Sequence, residues 1–186
     1  MDLHRLPAEL RTRRLVVRLA RDEDGPAVAD ALEETLPLLV PWFKWAEYLE
    51  RWGERGDFED RARTGVRRLE EGEGPTYFLW DGARVVGEIW FGAEGARFGA
   101  LEYNVWVRRS AAGTGFGAEG SRAALAAVFA AGVEVVEARV RSENAASRRL
   151  LMAVGFRRHG WLHGVERYVV EPATLVTETR GSARGA

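Results

Sequence analysis

The sequence predicts a mixed α/β fold, with a central, largely antiparallel sheet flanked by helices and one βαβ crossover. Three observations predict it. Strand-like runs at 76–80, 85–91 and 101–107 follow one another through short connectors, Asp81-Gly82 and the glycine-rich 92–99, which favours an antiparallel meander. A glycine-rich turn at 113–117, a helix to about Ala131 and a strand over 133–141 then follow in the order of a parallel crossover. Finally, runs at 156–162 and 165–170 form a closing hairpin through His163-Gly164.

The remaining elements read in order. Residues 15–19 (LVVRL), after the arginine-rich 11–14, form a first strand. Asp22–Asp24 opens a helix with Val28 and Leu32 at helical spacing, and Pro41 interrupts it. Trp42, Trp45, Leu49 and Trp52 follow a 3–4 spacing, an apolar stripe expected either to pack on the core or to wall a binding channel. Residues 56–69 are a further helix, charged on one face and ended near Gly72 and Gly74. The helix after the glycines carries Leu125, Val128 and Phe129 on one stripe. Residues 144–154 are helical, with Leu150, Leu151 and Val154 inward and Gly155 as C-cap. No repeat or linker divides the chain, so residues 1–186 are expected to form one domain, with a core over about 9–171 and a frayed tail at 172–186.

Composition narrows the function classes. Hydrophobic residues make up 46% and charged residues 30%, a globular balance. The absence of cysteine removes disulfides, thiol nucleophiles and thiolate metal sites. His159 and His163 are four apart but fall in strand and turn without a third ligand, so no metal site is expected. A net charge of −1 and a pI near 6.4 give no electrostatic reason to bind nucleic acid. The longest apolar stretches, 36–43 and 123–133, are too short for a bilayer, Lys44 and Arg51 are offset by Glu47 and Glu50, and the N-terminus has no apolar signal region. A cytoplasmic protein that binds neither membrane nor nucleic acid is the expectation.

Gly113, Gly115 and Gly117 alternate between a strand and a helix. Such a turn presents backbone N–H donors and the positive end of a helix dipole, a setting suited to a pyrophosphate. The same residues with Ala118 fit a loose dinucleotide pattern, with Glu134 or Glu137 as the acidic partner. A dinucleotide fold needs repeated βαβ units, whereas here a long antiparallel stretch precedes the glycines. A plain strand–helix connector is the third possibility.

The run Leu101-Glu102-Tyr103-Asn104-Val105-Trp106-Val107, followed after five residues by Gly113-Thr114-Gly115-Phe116-Gly117, resembles the acetyl-CoA motif of the GNAT family of N-acetyltransferases. Downstream, Asn144-Ala145-Ala146-Ser147 with Leu150-Leu151 and Val154-Gly155-Phe156 resembles the family's next motif. At the front, residues 10–18 and Pro41-Trp42-Phe43-Lys44-Trp45 resemble the branch that acetylates the N-termini of ribosomal proteins. The resemblance implies a GNAT-like sheet and a pantetheine lying like an extra strand beside Trp106 and Val107. It implies that Ala112, Gly113, Thr114, Gly115, Phe116 and Gly117 hold the pyrophosphate, with Asn144 and Ser147 beside the pantetheine and the sulfur. One departure is Ala112, where the family usually has Gln or Arg; Arg108 and Arg109 lie nearby.

The implied reaction is direct attack of a primary amine on the thioester of acetyl-CoA, with a base taking the amine proton and a backbone N–H near Trp106–Val107 holding the oxyanion. Strand alternation places Glu102, Asn104 and Trp106 on one face, and Glu102 is the expected base. Glu88 is the second candidate, on the acceptor side with Trp42 and Trp45. Ser147 is expected to assist the sulfur, or simply to cap its helix with Asn144. The short 161–165 connection departs from the branch's longer final hairpin and leaves the acceptor site altered or more open; His159 and His163 are read as surface residues. The acceptor is then a protein N-terminus such as that of a ribosomal protein, or a small amine (polyamine, amino acid or aminoglycoside). A non-catalytic acyl-CoA-binding domain is the alternative of another class. A homodimer is implied only by family habit.

Overall fold

In the computed structural model the described residues are 3–93, 100–162 and 164–176. Most of the 92–99 connector, His163 and the tail beyond 176 lie outside them. The strands are β1 (Glu9–Arg11), β2 (Val16–Leu19), β3 (Thr76–Asp81), β4 (Arg84–Gly92), β5 (Leu101–Val107), β6 (Val136–Val140), β7 (Arg157–Leu162) and β8 (Val165–Val170). The helices are α1 (Gly25–Leu39), α2 (Lys44–Trp52), α3 (Arg55–Glu70), α4 (Phe116–Ala130) and α5 (Ala145–Val154). One sheet runs β1-β2-β3-β4-β5-β6-β8-β7, antiparallel throughout except between β5 and β6. The predicted class, meander, crossover and closing hairpin are all present.

Side-chain alternation sorts the apolar residues onto two faces. Tyr77, Leu79, Ile89, Phe91, Leu101 and Tyr103 point toward α4 and α5, where Leu125, Val128, Leu151 and Val154 complete one core. Phe78, Val85, Trp90 and Trp106 point the other way and pack on Val28, Leu32 and Leu36 of α1 and Phe58 of α3. Each such side chain contributes about 1.5–3 kcal/mol on burial. Strand β4 is apolar on both faces, and a register shift against β3 at Leu79/Trp80 breaks its alternation, so that Val86 and Ile89, three residues apart, serve the same core.

Two local expectations are corrected. The short strand β1 pairs with β2 and was not anticipated, because its three residues are mostly polar. The tryptophan stripe does not pack as a unit: α2 begins at Lys44, Trp42 precedes it and is exposed, and Trp52 is 68% exposed. Among the described residues no helix is long and apolar enough to cross a membrane.

The crossover positions the site. Strands β5 and β6 pair only at Leu101↔Val136 and Glu102↔Glu137. Beyond that rung β6 stays paired with β8 from Val136 to Val140, while β5 follows β4 up to Val107. The two strands therefore splay apart in the middle of the sheet.

Candidate active site

The splay leaves backbone groups without a strand partner. The Leu101 N–H donates to the Val135 carbonyl at 3.1 Å, on the β6 side. Alternation turns the amides of Tyr103, Val105 and Val107 the same way; that of Tyr103 closes the last rung, at Glu102↔Glu137, and those of Val105 and Val107 face the gap. The Arg108 N–H donates instead to Val86 of β4 at 2.8 Å, so the Trp106 amide, two residues earlier, also faces β4. A cavity of about 140 Å³ occupies the gap, lined by Tyr103 and Val105 on one side and Ala138 and Val140 on the other, with Asn144 and Ser147 at its α5 end. Unpaired backbone donors need partners, and an extended chain carrying amides supplies them as an added strand would.

At the far end of β5 a 3-10 turn, Arg109–Ala111, leads into the glycines. Gly113 and Gly115 adopt φ of 78° and 85°, left-handed values that other residues reach only with strain. Gly115 is the N-cap of α4 and has no side chain to cap it. The Thr114 N–H donates to the Ala111 carbonyl and the Phe116 N–H to Thr114 Oγ1, both at 3.4 Å, which leaves the N–H groups of Gly113, Gly115 and Gly117 without a partner among the described residues. Gly117 has a different reason to be glycine. A Cβ there would lie 2.8 Å from Leu150 and 2.9 Å from Val107, so its absence lets α4 sit against α5 and β5. Free glycine donors at alternate positions beside a helix N-terminus fit a pyrophosphate.

The charged groups around this turn are already organised. Arg108 donates to Glu34 at 2.6 Å, and Ser110 N–H donates to the same carboxylate at 2.5 Å. The Arg108 hydrogen bond, more than those of Ser110, holds the Glu34 carboxyl down at about 2. Arg14, between β1 and β2, donates through Nε to Glu119 at 2.7 Å and through Nη1 to the Thr114 carbonyl at 2.9 Å. Its guanidinium lies 4.6 Å from the Phe116 ring centroid. Burial pushes the Glu119 carboxyl up, but hydrogen bonds from Thr12 and Arg14 outweigh it and leave it below its ordinary value.

A second cleft, of about 580 Å³, adjoins the splay on the α1–α3 face. Phe43, Asn104 and Arg139 line both spaces. Its wall is aromatic: Phe43 and Trp45 stack at 5.5 Å, and Trp90 lies 5.4 Å from Phe43. Its charged groups are Glu102, Arg139, Glu73 and Arg68. Glu102 accepts a hydrogen bond from Arg139 and is 18% exposed.

The predicted site residues are thus distributed unevenly. Asn144, Ser147 and Trp42 meet in the splay; Glu102 and Trp45 meet in the adjoining cleft. Asn144 Oδ1 accepts the Ser147 N–H at 3.0 Å, so this pair also caps α5. Glu88 lines neither space. It is 2% exposed and accepts from Trp106 Nε1 at 2.8 Å and Arg61 Nε at 3.0 Å, while Arg61 lies 4.2 Å from the Trp45 ring centroid and 4.8 Å from that of Trp90. The Trp106 side chain is buried beside Glu88, away from the splay. Ala112 is exposed on the turn, and His159 is exposed on edge strand β7. Among the described residues no group of three or more His, Cys, Asp or Glu is placed to hold a metal.

Sequence reasoning missed Arg139, Arg68 and Arg14. Arg139 left a signal, a charge inside an apolar strand two residues beyond Glu137. Arg68 and Arg14 sit among other arginines, where no spacing separates them.

Comparison with known proteins agrees with this geometry. The chain resembles the RimL ribosomal L7/L12 α-N-protein acetyltransferase solved with coenzyme A (TM-score 0.76, 18% identity, covering 89% of this chain and 97% of that one). It also resembles the ribosomal-protein-S5-alanine acetyltransferase of Vibrio fischeri (TM-score 0.74, 14% identity, 92% and 100% coverage). The microcin C7 self-immunity acetyltransferase MccE, solved with acetyl-CoA and AMP, is similar too (TM-score 0.77, 11% identity, 91% and 99% coverage). At these identities the likeness is one of fold. No significant match exists among the curated proteins. The acetyltransferase (GNAT) domain model matches residues 14–157, most of the chain and both halves of the splay, and the chain therefore belongs to the GNAT family of acetyltransferases that use acetyl-CoA.

Proposed function

We propose that this acetyltransferase acts on the N-terminal amine of a protein, such as a ribosomal protein, presented in the cleft beside Glu102. The observation that carries the reading is the junction of two spaces at Asn104 and Arg139. One is an amide-lined splay that fits the pantetheine arm, and the other is a wide cleft that can take an acceptor. Acetyl-CoA supplies the thioester whose acetyl group passes to the amine nitrogen as the carbon–sulfur bond breaks.

The chain's own residues do the rest. The Val105 and Val107 amides pair with the pantetheine and offer an N–H to the thioester carbonyl oxygen. The 112–117 turn holds the pyrophosphate through the amides of Gly113, Gly115 and Gly117, while the Ala112 N–H is taken by the Arg109 carbonyl at 3.1 Å and shapes the turn. Glu102 takes the amine proton directly or through water, because a protonated amine has no lone pair to attack with. Ser147, beside Asn144, returns a proton toward the departing sulfur. Trp42 and Trp45 wall the acceptor, and Glu88 acts on it indirectly, through Arg61 and the Trp45–Trp90 wall.

The charges favour a peptide over a polycation. Among the described residues the cleft sets two arginines, Arg68 and Arg139, beside two glutamates, Glu73 and Glu102. A polyamine or aminoglycoside calls for an excess of carboxylates, whereas backbone carbonyls behind an N-terminal amine find donors in the arginines. Titration of a panel of N-terminal peptides and small amines with acetyl-CoA, read by mass and thiol release, tests this. Turnover confined to peptides with a free N-terminus supports the reading. Turnover confined to polyamines, amino acids or aminoglycosides overturns it.

A further inference from the structure

We infer that Arg14 is a direct ligand of the CoA diphosphate, standing in for the side-chain donor that the turn lacks at Ala112. The open backbone donors of Gly113, Gly115 and Gly117 fit the diphosphate, but a cation beside them adds a charge-assisted hydrogen bond that neutral amides do not supply. Arg108 is committed to Glu34, and Arg109 is exposed on the 3-10 turn ahead of the glycines. Arg14 instead reaches the turn from the connection between β1 and β2.

Three contacts fix its guanidinium. Nε is held by Glu119, Nη1 by the Thr114 carbonyl, and the plane lies over Phe116. Glu119 is itself held by the Thr12 hydroxyl at 2.6 Å and the Arg14 N–H at 2.8 Å, so the anchor is buried and fully engaged. What remains is Nη2, which makes no hydrogen bond among the described residues. It lies 3.3 Å from the position a Cβ would take on Gly115, the N-cap of α4. The side chain is 35% exposed. A donor held rigidly on one edge and open on the other, beside the helix N-terminus, is arranged for an anionic oxygen. Only a planar fork can make these contacts together, so lysine is no substitute.

Calorimetric titration with CoA and with S-acetylpantetheine, which keeps the thioester arm but has no phosphate, tests the assignment. Arg14→Gln is expected to weaken CoA about tenfold or more and to leave S-acetylpantetheine unchanged. Adding Ala112→Arg to that variant is expected to restore most of the loss. Arg14→Gln that binds CoA as tightly as the native protein, or that weakens both ligands equally, would make Arg14 a structural clamp only and overturn the proposal. Should that variant not fold, as judged by thermal melting, phenylglyoxal labelling of Arg14 in the native protein decides. Protection by CoA but not by S-acetylpantetheine supports it, and equal labelling with and without CoA overturns it. Native protein that binds S-acetylpantetheine as tightly as CoA removes the diphosphate site altogether, a result distinct from loss of Arg14 alone.

Discussion

Glu102 and Arg139 are ion-paired across the point where β5 and β6 part. Glu102 sits on the last shared rung, opposite Glu137, and Arg139 lies two residues further along β6, where β5 has already diverged. The pair stands between the splay and the cleft, and it commits one carboxylate oxygen while the carboxylate still lines the cleft.

Glu102→Gln should therefore lower kcat about a hundredfold or more while CoA binding stays close to native. Arg139→Gln should cost less, because it loosens the carboxylate without removing it. The double variant should be no slower than Glu102→Gln alone, since the two residues act through one group. Steady-state kinetics with a parallel CoA titration read all three, and full kcat in Glu102→Gln excludes it as the base.

The glycines of the turn should separate by the reason each is there. Gly117→Ala drives a methyl into Leu150 and Val107 and should destabilise the fold by about 1–3 kcal/mol. Gly113→Ala meets open space and bears only the left-handed φ, about 1–2 kcal/mol, the smaller loss. Urea midpoints rank the two, and the reverse order would show that α4 can yield where it meets α5.

Much of this was legible in the sequence. The meander shows as short strand-like runs broken at Asp81-Gly82, and the cofactor turn shows as alternating glycines. Strand β1 was not legible because Glu9-Leu10-Arg11 is short and polar and becomes a strand only by pairing with β2. The Glu102–Arg139 pair joins positions 37 apart through a parallel register that no local pattern encodes. The burial of Glu88 was not legible for a related reason: no local pattern shows that Arg61 arrives from α3, and the Trp106 indole from β5, to cover it.

Glu34 gives the stability a defined acid dependence. Its carboxyl titrates at about 2 in the folded chain against an ordinary 4.5, so between those values the unfolded state binds the extra proton. Stability from this group is then complete above about pH 4.5 and is lost as pH falls toward 2. Glu34→Gln should flatten that part of the acid profile in urea midpoints measured from neutral pH to pH 2. A variant profile parallel to the native one would show that the Arg108–Glu34 contact does not persist in solution.

Glu88 offers the sharpest separation between structure and catalysis. It neutralises Arg61 beneath the Trp45–Trp90 wall and accepts the Trp106 indole, so Glu88→Leu strands a largely buried guanidinium and should cost about 3 kcal/mol. Glu88→Gln keeps an acceptor and should cost about 1–2 kcal/mol. As the wall shifts, the acceptor KM should rise while kcat changes little, because no reacting atom touches Glu88. A base would behave in the opposite way, with Glu88→Gln losing kcat at unchanged stability. Melting curves beside kinetics on the same variant distinguish the two, and loss of kcat without loss of stability would move the base from Glu102 to Glu88.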